Sequence, residues 1–150
     1  MARTYARIRV DIWRDDTWGT VSRDAQWLYL MILTQPSLSV VGCLVMRPGV
    51  WARLAGGEDR DHVRKWLAEL EEAGLVSVDE RTEEVVVRTF TTHDLVFRNQ
   101  NLGRGVWGAW SAIDSEALRR VVVDNVPDEA WEIRFSAPHE ARQMRCSGLE

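Results

Sequence analysis

One stretch, residues 59–90, constrains the fold of this chain more than any other, because it joins an amphipathic helix to a probable hairpin. Apolar residues recur at helical spacing on one face, at Val63, Trp66, Leu67, Leu70 and Ala73. Asp59 is a suitable N-cap, since its carboxylate can accept a hydrogen bond from the first turn. Gly74 supplies a left-handed stop. The pattern predicts a helix over residues 59–73.

Two short β-branched runs follow this helix and predict a hairpin with a polar tip. The first run covers residues 75–78, and the second begins at residues 85–87 and ends at Phe90. Residues 79–83 between them are all polar and suit a turn. Seven carboxylates make this region acidic: Glu69, Glu71, Glu72, Asp79, Glu80, Glu83 and Glu84.

The residues before this stretch supply four more predicted elements. Alternation of apolar and basic residues predicts a strand over residues 6–11. An N-cap at Ser22 and a helical apolar stripe predict a helix through residue 34. A short strand is expected over residues 40–45, and Pro48 opens a second helix, where its missing N–H costs little. The predicted order over residues 6–90 is β-α-β-α-α-β-β.

The residues after Phe90 predict a helical extension. Helical spacing over residues 101–113 includes Trp107 and Trp110, and a further helix over residues 115–126 turns Leu118 inward. An alternating piece, residues 131–135, is a candidate strand. Trp107, Trp110 and Leu118 are candidates for a dimer or partner interface. The alternative is that they pack against the rest of the same chain.

Composition limits the class of protein. The length of 150 residues fits one domain with a small appendage, and no apolar run approaches the ~20 residues of a membrane span. Cys43 and Cys146 have no metal-ligand spacing and suggest two free thiols in a reducing, cytoplasmic setting, with a single disulfide between them as the alternative. The net charge of −4 argues against indiscriminate DNA binding, because phosphate neutralisation drives that binding.

The predicted order resembles that of a winged helix-turn-helix domain, with the hairpin as its wing. Beyond this outline, the chain resembles the N-terminal domains of actinobacteriophage and prophage replication-initiation (replisome organiser) proteins. Four segments carry the resemblance: residues 6–9 with Trp13, residues 21–30, residues 67–76 and residues 90–101. The resemblance implies a cytoplasmic DNA-binding protein of the bacterial host that acts in replication initiation or transcription control.

The expected organisation is an α+β winged helix-turn-helix domain over residues 5–95, with an extension and tail over residues 96–150. In a DNA complex the helix 59–73 would enter the major groove of double-stranded DNA. Its outward face would contribute Asp61 and Lys65, flanked by Arg60 and Arg64. Further phosphate contacts are assigned to Arg53, Arg3, Arg7 and Arg9. The alternatives are a solvated helix stabilised by weak ion pairs and a charged strand edge that discourages aggregation.

A second hypothesis belongs to another class of protein. Here the winged helix is an interaction module that binds and modulates a host protein, with little or no DNA binding. The acidic wing, the low isoelectric point of about 5.4 and the Trp-rich extension favour it. We expect no enzyme, metal or cofactor, since no zinc, phosphate-loop or nucleophile motif occurs. His93 and Asp94 are interpreted as a local hydrogen-bonded corner.

Overall fold

The computed structural model describes residues 3–93, 100–128, 131 and 137–148, and within them the protein is α+β. A 3₁₀ helix covers Val10–Arg14. The α-helices are α1 (Asp16–Thr20), α2 (Arg23–Leu33), α3 (Pro48–Leu54), α4 (Arg60–Glu72), α5 (Phe90–His93), α6 (Gln100–Ser111), α7 (Glu116–Asp124) and α8 (His139–Ser147). The strands are β1 (Cys43–Val45), β2 (Val76–Asp79) and β3 (Glu84–Val87).

The three strands form one antiparallel sheet in the order β1-β3-β2. Val85 of β3 lies opposite Leu44 of β1 on one side and Val78 of β2 on the other. All four residues of β3 are buried, as expected for the central strand of a covered sheet. The hairpin predicted from the two β-branched runs is therefore confirmed, although β3 ends at Val87 and Phe90 begins α5.

The predicted helices of the first half are confirmed with their caps. Ser22 caps α2 by accepting a hydrogen bond from the N–H of Ala25, and Asp59 caps α4 by accepting one from the N–H of Asp61. Pro48 is the first residue of α3. Gly74 ends α4 with a φ angle of 74°. Local signals of this kind act within one turn, so they can be recognised in the sequence.

The strand predicted over residues 6–11 is wrong. Residues 6–9 are in neither helix nor strand, and Val10 begins the 3₁₀ helix. The side chains of Ile8 and Val10 are 46% and 93% exposed. An alternating segment forms a strand only when the edge of a neighbouring strand pairs with its backbone. Residues 6–11 do not join the sheet, and the Arg9 side chain forms a local ion pair with Asp11.

Some predictions on the C-terminal half are confirmed, and others fall outside the described residues. The two predicted helices appear as α6 and α7, with Ser115 as the N-cap of α7. The helix α8 was not predicted. Residues 132–135 of the candidate strand lie outside the described residues, as do Asp94 and residues 95–99. Both cysteines are free, and Cys43 is buried.

The extension shares a hydrophobic core with the first part of the chain. One continuous cluster includes Leu28 of α2, Leu67 of α4, Val85 of β3, Trp110 of α6 and Leu118 of α7. The helix α7 packs on β2 and β3, and α8 packs on α7. No helix in the described ranges combines the length and the apolar character that crossing a membrane requires.

Candidate nucleic-acid interface

The helix α4 buries one face and leaves the opposite one open to solvent. Its inward side chains are Val63, Leu67 and Leu70, each at most 2% exposed. The outward residues are exposed, as the helical spacing predicts: Asp61, Lys65, Ala68 and Glu72. The helix α4 packs against α2, α3 and β2. Its outward face is open to solvent and is therefore available to a partner such as a DNA groove.

The cations of α4 are concentrated in its N-terminal half and are weakly held. Arg64 lies 3.6 Å from the Asp61 carboxylate, and the two side chains are 53% and 79% exposed. Such exposed pairs at this spacing contribute only about 0.3–0.5 kcal/mol, so a phosphate can compete for the guanidinium. Lys65 is exposed and has no ion pair within the described part of the chain. These two side chains are therefore free to reorient.

Three further arginines lie at the start of α4 and on or beside α3. The Arg60 guanidinium lies next to Gly49 in the first turn of α3, where an added Cβ would be 3.5 Å from its Nε. Arg53 is exposed in the last turn of α3. Arg47, an exposed residue that immediately precedes Pro48, was not among the predicted site residues. Its position at the start of a predicted helix could have indicated Arg47 as a site residue, because backbone N–H groups at a helix start also favour anions.

The three N-terminal arginines to which phosphate contacts are assigned differ in how the structure holds them. Arg3 donates a hydrogen bond to the Leu33 carbonyl at the end of α2, and its guanidinium lies 5.6 Å from the Phe90 ring centre. It is held on the core, which makes it unsuitable as a phosphate ligand in this structure. Arg9 is paired with Asp11. Arg7 is exposed.

Two carboxylates at the hairpin tip bind the start of α7. Glu84 is 6% exposed, and its oxygens accept hydrogen bonds from the backbone N–H groups of Asp114, at 3.0 Å, and Ser115, at 2.9 Å. A hydrogen bond from Ser115, followed by bonds from the backbone N–H groups of Arg81 and Thr82, lowers the pKa of Asp79. These acids therefore attach the extension to the hairpin.

Two further carboxylates of the acidic region are engaged within the chain. A Glu71 oxygen accepts a hydrogen bond from the N–H of Val78, at 2.8 Å. Glu69 accepts hydrogen bonds from the N–H and the hydroxyl of Ser22 at the start of α2. The remaining acidic side chains, Glu72, Glu80 and Glu83, are exposed. The acidic stretch is thus partly a set of internal hydrogen-bond acceptors.

The residues assigned to a partner interface are buried inside the chain. Trp107, Trp110 and Leu118 are 8%, 1% and 2% exposed. The Trp110 indole N–H donates a hydrogen bond to the Arg119 carbonyl at 2.9 Å. The centres of the Trp107 and Trp131 rings are 5.2 Å apart. This is the intramolecular packing that the sequence left open as an alternative. The surface of the chain offers almost none of these three side chains to a partner.

Comparison with known proteins gives no further guide to the chemistry of this surface. Neither a protein-family model, nor a curated protein, nor a solved structure matches the chain. Within the described ranges, His, Cys, Asp and Glu side chains do not gather in groups of three or more that could hold a metal ion. The function is therefore inferred from the geometry of α4 and its surroundings.

Proposed function

We propose that this protein is a winged helix-turn-helix protein that binds double-stranded DNA through the outward face of α4. The observation that carries the proposal is the open, cationic N-terminal half of α4. Arg60, Arg64 and Lys65 are all exposed there, and the opposite face of the same helix is fixed in the core. An α-helix presented in this way fits the width of the major groove.

The residues of α4 suit distinct contacts with DNA. Arg64 and Lys65 can bind phosphates or the O6 and N7 acceptors of guanine, and Asp61 can accept from the N4 amino group of cytosine. Ala68 is exposed and small, so the helix can approach the groove floor closely. Arg47 and Arg53 on the α3 side would contact the phosphate backbone, which positions the helix without reading sequence.

The main objection to DNA binding is the acidic hairpin, and the hydrogen bonds of its carboxylates weaken that objection. Glu84 is buried and Asp79 accepts hydrogen bonds from Ser115 and the hairpin turn. Both stabilise the attachment of α7. Because α7 packs on β2 and β3, the hairpin serves as a platform for the extension. We therefore assign DNA contact to α4 and α3 and none to the hairpin.

The resemblance to phage replication-initiation domains extends the proposal to a biological role. On that basis the protein acts in replication initiation or transcription control of a phage or prophage, in the cytoplasm of its host. A homodimer would present two copies of α4 to a two-fold site and double the contacts. Such a dimer would use a surface other than the buried side chains of Trp107, Trp110 and Leu118.

Fluorescence anisotropy with a mixed-sequence duplex across a salt series tests the proposal. We expect the logarithm of the affinity to fall linearly with the logarithm of salt concentration. Arg64→Ala and Lys65→Ala should each weaken binding and reduce the slope by about 1 if each residue contacts one phosphate. Arg142→Ala on α8 is a matched control, because it removes the same charge from an exposed helix elsewhere.

A second candidate function, docking of a host protein, is favoured by a separate observation. The N-terminal segment exposes the apolar side chains of Tyr5, Val10 and Trp13, which are 70%, 93% and 74% exposed. Exposed large apolar side chains gain favourable burial when a partner covers them. If the wild-type protein fails to bind DNA at low salt, or if Arg142→Ala weakens binding as much as Arg64→Ala, the DNA proposal is contradicted and this candidate replaces it.

A further inference from the structure

Three aromatic side chains form a continuous strip where α2 meets α4. The Trp27 ring of α2 meets the Trp66 ring of α4 edge to face, with 6.4 Å between the ring centres. The His62 ring stacks on the Trp66 ring, and their centres are also 6.4 Å apart. His62 and Trp66 lie four residues apart, so they share one side of α4. We call Trp27, Trp66 and His62 the aromatic strip.

The two ends of the aromatic strip are open to solvent. Trp27 is 37% exposed, and the side chain of His62 is 54% exposed. Trp66 lies between them, is half-buried and packs against the core. Because Trp66 contacts both outer rings, the strip is already formed in the absence of a partner. A flat group that covered the outer rings would remove apolar surface from water, which is favourable.

The aromatic strip adjoins the surface of α4 that is assigned to DNA. His62 directly follows Asp61, and Trp66 directly follows Lys65. Consecutive residues of an α-helix are rotated by about 100° around its axis, because one turn holds 3.6 residues. The strip therefore lies on the flank of the outward face, and its rings differ from the side chains assigned to duplex contacts.

Two cations border the aromatic strip. Arg23 is exposed and lies one helical turn before Trp27 on α2. Lys65 is exposed and lies three residues after His62 on α4. Neither side chain has an ion pair within the described part of the chain. Asp24 is exposed beside Arg23 and offsets part of this positive charge.

Two neighbouring carboxylates are already bound within the chain. A Glu58 oxygen lies 2.7 Å from Nδ1 of His62. The Glu69 carboxylate accepts hydrogen bonds from the N–H and the hydroxyl of Ser22. These internal contacts reduce the repulsion that a phosphate would meet at the strip.

An unpaired nucleotide matches this combination of open rings and bordering cations. Every base has a flat face that stacks on aromatic side chains whatever the sequence, and cations beside the rings bind the phosphates. In a duplex the bases stack on each other, so a protein ring reaches a base face only where the strand is unpaired. The rings therefore favour single-stranded over double-stranded DNA.

We propose that the aromatic strip binds unpaired nucleotides, so that the preferred substrate is a junction of double-stranded and single-stranded DNA. A base stacks on Trp27 or on the outer face of His62, and Arg23 and Lys65 bind the flanking phosphates. The proposal rests on the proposed function for the duplex part of the junction, which α4 holds. The unpaired part has contacts of its own and can be measured separately.

Fluorescence anisotropy with matched DNA probes tests this proposal. The probes are a blunt duplex, the same duplex with an unpaired thymidine tail, and the same duplex with an abasic tail of equal length. The abasic tail supplies the phosphates without the bases. We expect the thymidine tail to raise the affinity more than the abasic tail does, because only the thymidine tail can stack.

Variants of the strip separate stacking from charge. Trp27→Ala should weaken binding of the thymidine-tailed duplex about five- to tenfold and leave the blunt duplex unchanged. Trp27→Phe is the matched control, because it keeps an aromatic face and should retain most of the gain. Arg23→Ala should reduce the gain from both tails, whereas Arg142→Ala on α8 should not.

A measurement on the unaltered protein covers the case in which Trp27→Ala does not fold. The indole N–H resonance of Trp27 should shift when single-stranded oligothymidylate is added in an NMR titration, and should not shift with the blunt duplex. Equal affinities for the two tailed duplexes, with no shift of this resonance, would overturn the proposal and leave the strip to a protein partner. Failure to bind the blunt duplex would contradict the proposed function alone, since oligothymidylate binding that is lost in Trp27→Ala would still support the strip.

Discussion

Single carboxylates in the acidic stretch have structural roles that their local sequence does not reveal. Asp79 and Glu84 lie opposite each other in the β2–β3 register, and both hydrogen-bond to Ser115. The partner is about 30 residues away in the sequence, so no local pattern identifies it. From the sequence alone these side chains look like solvated charge. Their burial and their partners depend on how the extension packs.

The two N–H groups bound by Glu84 predict a large effect of its removal on stability. Glu84→Ala leaves the buried N–H of Ser115 and the partly buried N–H of Asp114 without their acceptor, which should lower the free energy of unfolding by about 2–4 kcal/mol. Urea denaturation followed by circular dichroism measures this loss. Glu80→Ala is the control, because Glu80 is an exposed acidic residue of the same turn and should change stability by less than about 0.5 kcal/mol. Equal effects of the two changes would contradict the role assigned to Glu84.

Asp79 predicts a specific dependence of stability on pH. Its pKa is lower in the folded protein than in the unfolded chain, so folding favours the ionised carboxylate. The stabilisation is present above the ordinary pKa of about 3.9 and is lost as the pH falls through the folded pKa. Asp79→Asn should therefore be less stable than the wild type at pH 7, and the difference should shrink at pH 3. A difference that stays constant in urea denaturation from pH 7 to pH 3 would refute this.

At the scale of elements, the sequence predicts those that depend on local signals and misses those that depend on partners. The helices α2, α4 and α7 carry side-chain caps and apolar stripes that act within a turn or two, and α3 begins at Pro48. The expected strand over residues 6–11 has the right alternation but does not join the sheet. The helix α8 has only two buried side chains, Ala141 and Met144, which gave too weak a periodic signal.

The approach of α5 to the loop before β1 depends on Gly42. An added Cβ at this position would lie 2.5 Å from the Cβ of Phe90, and the φ angle of 77° already disfavours other residues. Gly42→Ala should therefore cost the backbone strain of about 1–2 kcal/mol and an overpacking cost of about 1–3 kcal/mol. Gly56→Ala provides the comparison, since Gly56 has a φ angle of 86° but open space around it. If urea denaturation shows equal losses for both, the contact with Phe90 is unimportant.

At the scale of the whole molecule, the extension is an integral part of the fold. Glu84 holds the start of α7, and the hydroxyl groups of Thr91 and Thr92 donate to the Asn125 carbonyl at its end, at 3.1 and 2.9 Å. Periodicity predicted the helices of the extension but could not show that their apolar faces pack within the same chain. An apolar stripe on one helix does not specify its partner.

Some residues of the candidate site could be placed from the sequence because their positions follow from helix geometry, whereas others depend on contacts with distant parts of the chain. Helical geometry alone determines that Asp61, Arg64 and Lys65 point away from the buried face of α4, and the structure places them there. The N-terminal arginines depend on tertiary contacts, and Arg3 was placed wrongly because its partners, Leu33 and Phe90, are distant in sequence.

The most direct test of the central claim is an NMR titration of isotope-labelled protein with a short DNA duplex. The account predicts that backbone amide shifts change over the first half of α4 and at Arg47 and Arg53, while residues 79–84 of the hairpin change little. Largest changes in the hairpin, with α4 unaffected, would contradict the assignment of α4 as the DNA-binding element. Absence of any saturable change at low salt would contradict DNA binding itself.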